Sequence, residues 1–309
     1  MLVVKFGGTS VGTKEALSLL VSILKDSEHS GRVALVVVSA LSGITDSLIA
    51  AARRMPGNAK NCSPEGGPGS GGDPVSGILR RHLDISAAFL SGDEKKAVDR
   101  IITETCGELE RMLDGVGILG ELSERSLDGI MSFGERLSAP LVAAALRAEG
   151  IAAEYLDSRE TIVTDDNYGA ARVIQDETFR RIRERAGKAK AGTVFVASGF
   201  VGAAKDRSTT TLGRGGSDLS AALYGAALDA EKLEIWTDVD GIMTADPKLV
   251  KNAFRIDSIS YEEAMELSHF GAKVLHPPTV KPALEKNIPI VIRNTFNPAC
   301  PGTAIVRAA

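Results

Sequence analysis

Two features of the sequence predict an α/β layer fold. Short runs rich in Val and Ile alternate with segments of helical periodicity, and glycine-rich turns sit at the ends of several of those runs. The runs are Leu2 to Phe6, Arg32 to Ser39, Thr193 to Ser198, Lys232 to Thr237 and Ile288 to Arg293. Apolar stretches this short and this continuous read as strands buried on both faces, the habit of a parallel sheet covered by helices.

Taken in order, Leu2 to Phe6 is the opening strand and runs into Gly7-Gly8. Leu17, Leu20, Val21 and Leu24 then make one apolar stripe at helical spacing. After the second strand, the composition from Pro56 to Gly77 turns to Gly, Pro, Ser and Asn, too polar to repay the entropy of ordering, so a flexible surface loop is expected there. Val98, Ile101, Ile102, Cys106, Leu109 and Leu113 mark a second apolar helical stripe. Between the third and fourth strands, Ser217 to Leu228 sets Ala221, Ala222, Ala226 and Ala227 among Leu219, Leu223 and Leu228. Side chains this small let a helix lie close on a sheet. No internal repeat or second composition break follows, and the chain ends shortly after Ile305-Val306.

The 309 residues suffice for one large or two modest domains. Lys and Arg number 36 against 40 Asp and Glu, a net charge of −4 without long blocks of one sign, so nucleic acid and anionic membranes are poor partners. An aromatic content of 5% argues further against base-stacking platforms. The opening residues reach Gly7-Gly8 before an apolar run of signal-peptide length, and no run of about 18 apolar residues occurs, so a cytoplasmic chain is expected. Cys62, Cys106 and Cys300 are far apart and form no CxxC pair, and His269 and His276 lack the i, i+4 spacing of a helical metal pair. Disulfides and a protein-bound transition metal are therefore not expected.

Four motifs carry chemistry. In Lys5-Phe6-Gly7-Gly8-Thr9-Ser10, paired glycines let backbone N–H groups turn toward an anion and Lys5 supplies a full positive charge. Lysine precedes the glycines, so this is not the GxxxxGK[ST] phosphate loop; taken singly, an ordinary βα turn would look the same. In Thr209 to Asp218, three glycines bracket Arg214, and Ser217-Asp218 opens the alanine-rich helix as its cap. A guanidinium held between glycines suits a carboxylate or phosphate bidentately, which makes a second anion pocket. Trp236-Thr237-Asp238-Val239-Asp240-Gly241 stands at a strand end, where open α/β sheets bind ligands, and continues to Asp246-Pro247-Lys248. Phe270 to Pro277 places Lys273 just after a glycine; alone it would read as a surface lysine.

These four, with Ser39 to Thr45 and Gly134-Glu135-Arg136-Leu137-Ser138, occur in the order found in aspartate kinases, and from Met1 to about Val306 the chain resembles that branch of the amino acid kinase family. The resemblance implies a three-layer α/β/α sandwich with a largely parallel central sheet. It implies one catalytic domain over residues 1–309, with an aspartate-binding lobe to about residue 190 and a nucleotide-binding lobe beyond. It implies transfer of the ATP γ-phosphoryl group to the side-chain carboxylate of L-aspartate, with Mg2+ held by few protein ligands.

By the same resemblance, Lys5, Asp218 and Lys273 are the catalytic residues. ATP falls to Lys5, Gly7, Gly8, Ser10, Thr237, Asp238, Met243, Lys248 and Lys273, and the amino acid to Ser39, Thr45, Glu135, Arg214, Ser217 and Asp218. Glu135 would meet the α-ammonium, Arg214 the α-carboxylate. Met243 stands where many relatives carry an aromatic residue, Lys248 where they often carry Arg, and the chain stops before the regulatory ACT domains usual in the family. A homodimer and a separate regulatory subunit are both compatible with such a chain. The alternatives are a family enzyme acting on a related amino acid, such as acetylglutamate, and a non-catalytic nucleotide-binding subunit. Glu135 speaks against an N-acylated substrate, and both lysines together with Arg214 and Asp218 speak against the idle subunit.

Overall fold

The computed structural model describes residues 1–54, 74–245, 249–269 and 277–307. The opening run forms strand β1 (Leu2–Phe6), followed by a single-turn helix α1 (Gly8–Val11) and by α2 (Lys14–Lys25), capped by the Thr13 hydroxyl. Strand β2 (Val33–Val38) leads into α3 (Ile44–Arg54). A helical block follows: α4 (Pro74–Phe89), α5 (Gly92–Leu119), α6 (Glu124–Met131) and α7 (Phe133–Ala148). Then come β3 (Ala153–Leu156), β4 (Val163–Thr164), α8 (Gln175–Gly187), β5 (Val194–Ser198) and the hairpin β6 (Val201–Ala204) with β7 (Thr209–Thr211). The last part holds α9 (Gly216–Ala227), β8 (Lys232–Thr237), β9 (Ser258–Ser260), α10 (Tyr261–His269), α11 (Lys281–Glu285), β10 (Ile290–Asn294) and β11 (Thr303–Val306).

The main sheet has eight strands in the order β3-β5-β2-β1-β8-β10-β11-β9, and only the β10–β11 pairing is antiparallel. β4, β6 and β7 form a small second sheet. Strand alternation divides the core in two. Leu2, Val4, Phe6, Val36 and Val38 pack on one side with α2, α3, α4, α5 and α7. Val3, Leu35, Val37 and Ile235 pack on the other with α8, α9, α10 and α11. The alanine-rich helix α9 lies on β1, β2 and β8 as its small side chains allow.

The expected strands are present, trimmed by a residue or two at some ends. The expected flexible loop from Pro56 to Gly77 is corrected at its far end: Pro74 to Gly77 are the first turn of α4, where proline suits the start of a helix and Val75 has a core to enter. Residues 55–73, with Cys62 among them, lie outside the described residues. The second helical stripe is buried at Val98, Ile102, Cys106, Leu109 and Leu113, but Ile101 is exposed.

A charged cluster inside this core was not legible beforehand. Glu234, fully buried on β8, accepts hydrogen bonds from the Trp236 indole at 2.9 Å, pairs with the His29 ring at 2.8 Å and with Lys232 Nζ at 2.7 Å. Burial alone would raise its pKa, yet the bonds from His29 and Lys232 outweigh that and hold the carboxyl at about 2. Glu28, His29 and Glu234 are close enough together to suggest a metal site, but Lys232 and Arg293 already stand against these carboxylates and would repel a cation. A depressed carboxyl pKa stabilises the fold above the unfolded value and ceases to do so as pH falls through the folded one. Glu234→Gln should therefore destabilise the fold at pH 7, on the order of 3 kcal/mol. In urea titrations its gap from the parent should narrow as pH drops from 4.5 toward 2, and a gap independent of pH would assign the loss to packing instead.

Candidate active site

The parallel strands β5, β2, β1 and β8 end at one edge of the sheet, and a cavity of about 580 Å³ opens there. Close backbone approaches build it. A Cβ on Gly8 would lie 2.6 Å from the Ala40 carbonyl oxygen, and one on Gly134 would lie 2.6 Å from the Ala40 side chain. Glycine at both positions thus lets α1 and α7 close on the turn after β2. That approach brings Glu135 within reach of the Ala40 amide, which donates to Glu135 Oε1 at 3.0 Å, while Ser138 Oγ donates to the Ser39 carbonyl at 2.8 Å.

From the opposite wall, Gly213 (φ 70°) and Gly215 (φ 73°) take left-handed conformations on either side of Arg214, whose side chain is exposed. The third glycine serves close packing instead, because a Cβ on Gly216 would meet the Phe200 ring at 2.8 Å. Phe200 itself holds φ 68°, rare for a bulky residue, fixed by its amide donating to Ser220 Oγ at 3.1 Å. Strain of this kind gathers at functional sites.

Lys5 Nζ and Asp218 Oδ1 form an ion pair at 2.6 Å, each side chain about one-eighth exposed. The expected capping role of Asp218 is corrected. Gly215 is the N-cap of α9, without a side-chain cap bond, and Asp218 in the first turn serves Lys5.

Lys5, Gly8, Ser39, Thr45, Glu135, Arg214, Ser217 and Asp218 all line the cavity. Gly7 does not, and its amide donates to the Trp236 carbonyl at 3.0 Å, so it ties β1 to β8 and is not free for a ligand. Ser10 is fully buried beneath the turn, its hydroxyl 2.7 Å from that of Thr295. Thr237 and Asp238 follow Trp236 at the same sheet edge, outside the cavity lining, with the Thr237 hydroxyl donating to Asp238 Oδ1 at 3.1 Å. Met243 is half-buried and bridges to Arg255. Lys248 and Lys273 lie outside the described residues.

Sequence reading missed Asp128. It is fully buried on α6 and accepts from the Thr211 amide at 2.9 Å, the Thr211 hydroxyl at 2.6 Å and the Gly169 amide at 3.0 Å. It thereby ties β7, just before the Arg214 loop, to the helices that carry Glu135. No pattern in the sequence singles it out, since α6 carries two acids, Glu124 and Asp128, four residues apart.

Glu135 is 3% exposed, and its Oε2 has no partner among the described residues. Burial raises its pKa to about 8, against the smaller lowering effect of the Ala40 amide. A buried carboxyl with an unpartnered oxygen is costly to ionise where it stands.

Residues 1–294 of this mixed α/β chain match the amino acid kinase family, and the chain belongs to it. It is 36% identical to the bifunctional aspartokinase/homoserine dehydrogenase 1 of Arabidopsis thaliana over 98% of this chain and 32% of the plant protein. It is 35% identical to the lysine-sensitive aspartokinase 3 of Escherichia coli K12, over 99% of this chain and 64% of that protein. The crystal structure of E. coli aspartokinase III with aspartate and ADP superposes with a TM-score of 0.86 at 32% identity, covering 100% of this chain and 65% of that one. The chain thus spans from about a third to just under two thirds of the length of these relatives.

Because the folded Glu135 carboxyl keeps a proton that the unfolded chain releases above its ordinary 4.5, stability falls as pH rises from 4.5 toward 8. Glu135→Gln should remove that loss, on the order of 5 kcal/mol at most. The melting temperature of the variant should gain on the parent steadily between pH 5 and pH 8; a constant difference would show that Glu135 does not titrate in this window.

Proposed function

We propose that this chain is an aspartate kinase, transferring the γ-phosphoryl group of ATP to the side-chain carboxylate of L-aspartate. The observation that carries the reading is the charge layout of the cavity: an uncompensated buried acid, Glu135, and an exposed guanidinium, Arg214, share one space with the Lys5–Asp218 pair. An amino acid is a cation and an anion joined at one carbon, and it needs opposite partners on two walls. The names of the related proteins agree with this assignment.

The acceptor carboxylate is ionised at neutral pH, so no general base is required; the barrier is the approach of one anion to another. Lys5 stands where it can neutralise the moving phosphoryl group. Asp218 fixes the lysine ammonium and takes no proton. The Gly8 backbone, held open by its contact with Ala40, faces the phosphates, and Ser39 and Thr45 position the acceptor carboxylate from the cavity wall. Thr237 and Asp238 receive the nucleotide beside them, with Lys273 and Lys248 assigned there by the family resemblance. Magnesium, carried on the phosphates, would offset their charge. The donor set fits an ion brought in this way, because Asp218 is occupied by Lys5 and Asp240 by the amides of Asn294 and Asn297.

Binding of an ammonium group would ionise Glu135. KM for aspartate should then fall as pH rises from 6 toward 8, and Glu135→Gln should both raise KM and flatten that dependence; a parent KM independent of pH would remove Glu135 from ammonium recognition.

ADP should form only with L-aspartate in a panel of amino acids, with hydroxylamine trapping the acyl phosphate as a hydroxamate. Turnover without hydroxamate would refute the assignment. Lys5→Ala should lower kcat by about 10²-fold or more. Arg214→Ala should raise KM for aspartate far more than KM for ATP, which steady-state kinetics with each substrate varied will show.

A further inference from the structure

A second cavity, of about 460 Å³, lies on the far side of the α6–β7 contact from the substrate cavity, and nothing in the phosphoryl-transfer chemistry uses it. Helices α5, α6 and α7 form one wall, and the β6–β7 hairpin forms the other. Three guanidiniums line it, those of Arg125, Arg136 and Arg207, against one carboxylate, that of Glu108. Arg136 is committed already, bonded to Glu108 and stacked 4.4 Å from the centre of the Phe133 ring. Arg125 makes a long, exposed pair with Asp206 at 3.4 Å and lies over the Tyr168 ring, 5.9 Å from its centre. Arg207 has no side-chain partner among the described residues.

The placing of Arg207 is itself unusual. The hairpin closes with the Arg207 amide donating to the Ala204 carbonyl and the Ala204 amide to the Ser208 carbonyl, each at 2.9 Å. Arg207 occupies the left-handed position of that turn, with φ 67°. Glycine is the residue such hairpin loops favour there. An arginine costs stability at this point and has no internal partner to offset it, which directs attention outward.

We propose that this cavity binds the phosphate group of a small molecule, gripped by Arg125 from the helices and Arg207 from the hairpin. Forked donors on two facing walls suit an anion with more than two acceptor oxygens; Thr209 and Ser126 stand on the same lining, their hydroxyls already bonded to Arg159 and Ser123. Met112 and Phe133 offer apolar surface beside them, and the volume falls in the range of small-ligand sites. Such a ligand would bridge the two walls. Since Asp128 pins Thr211 of the same hairpin to α6, occupancy would stiffen the strand that leads to the Arg214 loop.

The test is calorimetric titration of the whole chain with inorganic phosphate and with glycerol 3-phosphate. Saturable binding should survive Lys5→Ala, which weakens the substrate cavity, and should weaken about ten- to a hundredfold in Arg207→Gly and in Arg125→Gln. Arg207→Gly should melt no lower than the parent, since glycine suits that turn, so its loss of binding would not reflect unfolding. Tighter binding of glycerol 3-phosphate identifies an organic phosphate as the ligand; equal binding of both identifies free phosphate. Binding that vanishes with Lys5→Ala yet ignores both arginine variants would place the phosphate in the substrate cavity and overturn the proposal. Equal affinity for succinate, or no saturable binding at millimolar concentrations, would overturn it as well.

Discussion

The ion pair between Lys5 and Asp218 is the constraint around which the site is arranged. It joins the end of the central strand to the first turn of the helix lying on that strand, in surroundings where either charge alone would be costly. For the pair to form, α9 must start close to the sheet. Closeness there depends on the alanines of α9, on Gly199 making room for Ser217, and on Gly216 making room for Phe200. The GRGG segment therefore serves two purposes at once, presenting Arg214 to the cavity and letting the helix behind it descend onto the strands.

Glu135 and Glu234 show how one residue type is used in opposite ways in one fold. Both are buried, yet Glu234 is surrounded by His29, Lys232 and Arg293 and stays strongly acidic, whereas Glu135 has one amide donor and is held weakly acidic. The first carboxylate is satisfied by the fold itself. The second has its Oε2 left without a partner among the described residues, and burial there disfavours its charged form.

Much of the architecture was legible because strands buried on both faces must be written as continuous apolar runs, and helices that cover them must show a stripe. The site was legible where residue type and local geometry coincide: glycines flanking Arg214, a lysine ending a strand before paired glycines. It was not legible where partners come from distant segments. Nothing adjacent to Asp128 in sequence announces Thr211, and Ser10 in a glycine-rich motif looks like a ligand residue until Thr295 arrives beneath it. Asp218 looked like a cap because the sequence does not reveal that the helix begins at Gly216, two residues before it. The polar composition that suggested a loop through Gly77 carried no sign that Val75 and Ile78 would find a core.

The placing of β1 also governs the order in which the protein can assemble. Strand β1 lies in the middle of the finished sheet, paired with β2 on one side and with β8, more than 200 residues later in the chain, on the other. Strand β2 likewise waits for β5. A nascent chain thus carries a valine-rich two-strand ribbon with both edges open until β5 is made, the situation in which strand edges recruit other chains. The helical block α3 to α7 is made during that interval and packs on the ribbon by contacts nearer in sequence, so it can cover one face early. The β2 edge closes when β5 emerges, and the β1 edge only when β8 follows it.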